Sequence, residues 1–100
     1  MDWMDHSARE LASLIRRKQV SPVEAVQAAL DRIVARHELN TFITGTAEQA
    51  MEAARQAEAE VLAGGTLPPL HGVPYSAKDL LLTAGVRTTM SSAIYESFVP

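Results

Sequence analysis

Three helix starts are written into the first half of this chain, and together they decide what else the chain must contain. Ser7-Ala8-Arg9-Glu10 is a capping-box pattern, in which the serine hydroxyl accepts from the backbone three residues on and the glutamate reaches back. The helix it opens carries Leu11, Leu14 and Ile15 on one face and closes on Arg16, Arg17 and Lys18. Cations suit that end because they offset the negative pole of the helix dipole. Ser21-Pro22-Val23-Glu24 repeats the device, with proline at the first helical position, where no donor is lost. Val23, Val26, Leu30, Ile33 and Val34 follow at helical spacing to about His37. Thr46 and Gln49 form a third pair ahead of a stripe of Ala47, Ala50, Met51, Ala54, Ala57 and Val61, stopped by Gly64-Gly65.

Amphipathic helices need something to cover. "TFIT", residues 41–44, is β-branched and aromatic enough for a short strand. After the Pro-rich turn "TLPPLHG", "VPYSAKD" reads as a second strand, with Val73, Tyr75 and Ala77 facing one way and Pro74, Ser76 and Lys78 the other. Pro74 cannot donate to a ladder, which places it at a strand's start or on an edge. The tail "AGVRTTMSSAIYESFVP" reads as a glycine turn, a Thr/Ser-rich loop and a short helix. The expected order is therefore α-α-β-α-β. Two short strands make a marginal sheet and cannot bury three apolar helix faces. The fold class expected is α/β, with these residues as one portion of a larger core.

Nine Lys+Arg against twelve Asp+Glu give a formal net charge of -3, which argues against direct nucleic-acid binding by this segment. "LIRRKQV" is too short for a phosphate-tracking stripe and reads as a solvated helix end. With no cysteine, thiolate catalysis and Cys-ligated metals are excluded within this segment. The acidic start "MDWMDHSARE" is unlike a secretory signal, and no apolar run approaches a bilayer span, so no membrane association and a cytoplasmic location are expected.

His6, His37, His71, Asp5, Glu38 and Asp79 could in principle hold a metal, but their spacing matches no ligand motif. His71, beside Gly72, reads as a turn histidine bonded to backbone. Gly64-Gly65 precedes prolines instead of a Lys-Ser/Thr helix start, so the phosphate-loop pattern fails. Neither a cofactor nor a metal is expected. Lys78 is different. A lysine at a strand end is ordinarily a surface residue, yet this one shares a strand face with Ser76 and "LLLTAG" follows directly after Asp79. Burial lowers the pKa of an ammonium and makes lysine a usable base near neutrality. Such a base could activate a serine hydroxyl.

"PLHGVPYSAKDLLLTAGVRTT" resembles the opening of the amidase signature family, whose members carry "PLxGxPxxxKD" followed by "GxxTT". "SPVEAVQAALDRI" and "LNTFIT" resemble the same family's N-terminal helices and first strand. The resemblance implies a large mixed β-sheet sandwiched between helical layers, with residues 1–100 as the N-terminal segment of a single domain that continues beyond residue 100. It also implies amide hydrolysis by a Ser–cis-Ser–Lys triad. Lys78 matches the lysine that accepts a proton through the bridging serine, and both serines lie outside this sequence. Ser91 and Ser92 lack the glycine context of the family's nucleophile segment and are assigned no such role. The implied partners are a small-molecule amide substrate and the remainder of the domain. Three readings stand: a free-standing amidohydrolase, a component of an amidotransferase that feeds ammonia to a partner subunit, and a non-catalytic interaction module.

Overall fold

The computed structural model describes residues 2–100. A 3-10 turn, Trp3–Asp5, precedes α1 (Ala8–Arg16) and α2 (Pro22–Ala35). A second 3-10 turn, His37–Leu39, leads to α3 (Ala47–Ala63), and a third, Ala93–Tyr95, lies near the end.

The first two helices begin where the capping boxes place them. Glu10 N–H donates to Ser7 Oγ at 3.1 Å and Ser7 N–H to Glu10 Oε1 at 3.0 Å. Ser21 and Glu24 repeat the exchange at 3.0 and 3.2 Å. The third box does not close. Thr46 sits at φ -123°, ψ 40°, and its side chain makes no capping bond, because that backbone does not aim the hydroxyl at the first-turn amides.

α1 stops before its basic tail is complete. Lys18 adopts a left-handed φ of 61°, and Gln19 N–H reaches back to Leu14 O at 3.0 Å. That reversal sends Val20 under the helix, where it is 2% exposed. Leu11, Ile15, Val20, Ala25 and Val61 form the core, with Trp3, Met4, Leu14, Leu67 and Val73 packed around it. α2 packs against α3 and against the first 3-10 turn. Arg32 Nη2 on α2 ties that turn down by donating to Asp2 Oδ2 at 2.6 Å and Asp5 Oδ1 at 3.4 Å. Ala25 and Pro22 are buried on α2, whereas Val34, expected on its apolar face, is exposed.

No strand forms among the described residues. Residues 41–44 bend, and residues 73–78 run without regular structure. A strand is a two-party structure whose amides need a partner ladder. Here neither segment pairs with the other, and Pro74 has no N–H to offer. The helical half of the expected α-α-β-α-β order therefore stands, and the sheet does not appear within these residues.

The chain after α3 returns to the helices at one tight turn. His71 N–H donates to Pro68 O and Val73 N–H to Leu70 O, at 3.2 and 3.1 Å. Gly72 in this turn has φ 82°, and a Cβ on it would stand 2.9 Å from Pro22 Cγ and 3.3 Å from Ile15 Cδ1. Only glycine allows the turn to close on the helices this tightly. The radius of gyration, 14.9 Å, exceeds the ~13 Å of a compact hundred-residue domain.

Candidate active site

Lys78 lies on the far side of that turn. Its carbonyl accepts from Leu81 N–H at 2.9 Å, which closes a turn immediately after the extended stretch. Its side chain is exposed, as are Ser76 and Tyr75, the last at 86%. The buried setting expected of Lys78 is therefore absent among the described residues, for the same reason the strand is absent: nothing covers either face of 75–78.

What is firmly held is the residue next to it. Asp79 Oδ1 accepts Thr89 N–H at 2.8 Å, and Asp79 Oδ2 accepts the Thr89 hydroxyl. Met90 N–H donates to the Asp79 carbonyl at 3.0 Å. Ser91 N–H in turn donates to Thr89 Oγ1 at 3.2 Å. The Thr89 hydroxyl bond holds the Asp79 carboxyl below its ordinary range. The Thr89 amide, the Ser91 amide and the Arg87 charge act in the same direction, against an opposing effect of burial.

The loop that Asp79 grips is fixed from its other side too. Thr88 N–H donates to Phe98 O at 3.0 Å and Gly85 N–H to Pro100 O at 2.9 Å. Arg87 bridges outward, with Nε donating to Glu96 O and Nη1 to Thr44 Oγ1 at 3.5 Å. Thr88 and Thr89, at 2% and 5% exposure, are the buried polar residues among those described. Met90 and Ser91 follow at φ 54° and 57°, two consecutive non-glycine residues in the left-handed region.

The remaining candidates scatter. His6 stacks on Trp3 with ring centroids 6.3 Å apart, and its Nδ1 lies 3.9 Å from Glu10 Oε2. His37 Nδ1 lies 3.2 Å from Val34 O. His71 Nε2 is 2.9 Å from Ala57 O on α3, which is the backbone-bonded turn histidine expected. No three such groups meet to hold a metal among the described residues. Ser92 Oγ accepts from Ile94 N–H at 3.3 Å and caps the last 3-10 turn. The Asp79–Thr89 pairing escapes a reading of the sequence. Its one signal is an aspartate with Thr-Thr nine and ten residues later, a separation that neither helical nor strand periodicity marks.

A family model described as Amidase matches residues 24–100. The chain belongs to the amidase family. The matched span contains Lys78, Asp79 and the Thr88-Thr89 loop together. Among similar proteins is the A subunit of the glutamyl-tRNA(Gln) amidotransferase of Geobacter sp. (strain M21). It is 45% identical over 101 residues, covering 100% of this chain and 21% of the relative. The corresponding protein of Moorella thermoacetica is 47% identical over 95 residues, 94% of this chain and 20% of the relative. That of Anaplasma phagocytophilum is 44% identical over 94 residues, 94% of this chain and 19% of the relative. The chain thus spans about a fifth of the length of these relatives. No solved structure matches it. No helix is long and apolar enough to cross a membrane among the described residues.

Proposed function

We propose that this chain is the N-terminal segment of an amide carbon–nitrogen hydrolase, with Lys78 as the proton acceptor of its catalytic triad. The observation that carries the reading is the family match over residues 24–100, a span that includes the Lys78-Asp79 motif. In the mechanism this implies, a serine hydroxyl attacks the amide carbonyl while its proton passes through a bridging serine to the lysine amine. Collapse of the tetrahedral adduct returns that proton to the leaving nitrogen, and water then clears the acyl group. Both serines and the oxyanion donors belong to chain outside these residues. One triad member supplies neither nucleophile nor oxyanion hole, so residues 1–100 alone are expected to be inactive.

A base at neutral pH must be uncharged part of the time, and an exposed lysine is poorly suited to that. The rest of a single continuing domain therefore has to bury Lys78. Leu80, Leu81 and Leu82, more than half exposed beside it, form the apolar surface such a covering would use. In the same assembly, residues 41–44 and 73–78 would become strands of a mixed α/β sheet between helical layers.

Within this activity, the amidotransferase reading is favoured over a free-standing amidase by the names of the relatives, each the A subunit of a glutamyl-tRNA(Gln) amidotransferase. In that reading the full-length protein releases ammonia from glutamine for a partner subunit in the cytoplasm. The deciding experiment measures ammonia release from L-glutamine by full-length protein, with and without its partner subunits. Lys78→Ala is expected to lower the rate by about 10³-fold or more while leaving the fold intact. A variant that keeps about a tenth of the wild-type rate or more would overturn the assignment. Partner-independent hydrolysis of simple amides would favour the free-standing enzyme.

A further inference from the structure

Lys78 carries its amine on a flexible four-carbon stem, and its side chain is exposed. Whatever precision the site has must therefore come first from the backbone that bears it. That backbone is held at two successive carbonyls: Lys78 O accepts Leu81 N–H at 2.9 Å, and Asp79 O accepts Met90 N–H at 3.0 Å. Beside them, both carboxylate oxygens of Asp79 close on a single residue, Thr89, which is 5% exposed.

We infer that Asp79 and Thr89 are positioning residues for Lys78, bolting the lysine-bearing turn to the 88–91 loop so that the amine is presented from a fixed origin. The inference rests on the reading of Lys78 as the triad's proton acceptor. The Thr89 hydroxyl is committed on both sides, donating to Asp79 Oδ2 and accepting Ser91 N–H at 3.2 Å. Its one hydrogen therefore points at the carboxylate. The bonds that clamp the carboxylate also keep it ionised, so it accepts on both oxygens in any neutral solution. An asparagine in its place would present only one acceptor, and a valine at 89 would remove the hydroxyl at both ends. Proton transfer through a bridging hydroxyl depends steeply on such placement, and a shift of about 1 Å can cost about 10²-fold in rate.

The test uses full-length protein with its partner subunits, L-glutamine and a simple aryl amide as substrates, and thermal unfolding alongside. Asp79→Asn and Thr89→Val are each expected to lower kcat by about 10²-fold with KM changed less than about twofold. Thr89→Ser, which keeps both hydroxyl bonds, is expected to stay within about threefold of wild type. A residue with a merely structural role would lower the unfolding temperature without this split between kcat and KM. If Asp79→Asn fails to fold, the Thr89 pair decides alone. Wild-type kcat in both Asp79→Asn and Thr89→Val overturns the positioning role while Lys78→Ala remains inactive. Full activity in Lys78→Ala, or no turnover of either amide by wild type, overturns the functional reading and this role with it.

Discussion

The stretch up to Ala63 and the stretch after it are held together by different forces. Among the described residues, every buried apolar side chain lies between Leu11 and Val61, and the only buried residues beyond are Thr88 and Thr89. Nine of the fourteen exposed large apolar side chains fall in residues 64–100. The first region is a small helical core driven by removal of apolar surface from water. The second is a lattice of turns and polar bonds that leaves most of its large apolar side chains exposed, Leu67 and Val73 alone being packed against the core. The difference teaches that the helices are held by apolar burial, whereas the Lys-Asp segment is held by turns and polar bonds with its leucines exposed.

The largest expected break in that contrast comes at the centre of the core. Ile15 is fully buried, and Ile15→Ala should cost about 2–5 kcal/mol, read as a lower urea midpoint for the helical signal. A loss below about 1 kcal/mol would mean the helices are not one core. Gly72 comes next, because there the backbone of the second region presses directly on the helices of the first. Gly72→Ala combines a φ of 82° with a Cβ 2.9 Å from Pro22 Cγ, and about 1–3 kcal/mol of destabilisation is expected. An alanine variant as stable as wild type would show that the two regions do not press together there.

Acid sharpens the comparison by direction. The folded Asp79 carboxyl titrates below its ordinary value of 3.8, so its bonds contribute stability that is present above that pH and lost as pH falls through the lower, folded value. The Thr89 amide resonance should shift and the 88–91 loop loosen in that window. Glu10 is likewise lowered, chiefly by the Ser7 backbone N–H, so acid should also fray the start of α1 while its apolar core persists. A Thr89 resonance indifferent to acid would remove the carboxylate from the loop's support. The smallest effect belongs to Tyr75, 86% exposed: Tyr75→Ser should change the stability of this segment by less than about 0.5 kcal/mol. A larger loss would reveal packing around the extended segment.

The helices were legible because their signals are local. Ser7 with Glu10 and Ser21 with Glu24 sit three residues apart, and each box closes as read. Thr46 and Gln49 have the same spacing, yet the Thr46 backbone points its hydroxyl elsewhere. Side-chain type at 41–44 and 73–78 favours strands, but a strand needs a partner ladder, and none forms among the described residues. The dry environment expected of Lys78 depends on the same point, since none of the described residues covers its side chain. The Asp79–Thr89 clamp was hidden because it closes a ten-residue loop whose shape depends on Phe98 and Pro100 carbonyls further on.

The pair of left-handed residues at 90 and 91 has an implication for how this chain can vary. Asparagine and glycine tolerate that backbone region, while β-branched residues strongly resist it. Drift at these two sites is thus steered by main-chain shape more than by polarity or bulk. A serine where glycine would sit more comfortably is a small standing cost, and substitutions there can trade ease of folding against the shape of the loop beside the lysine.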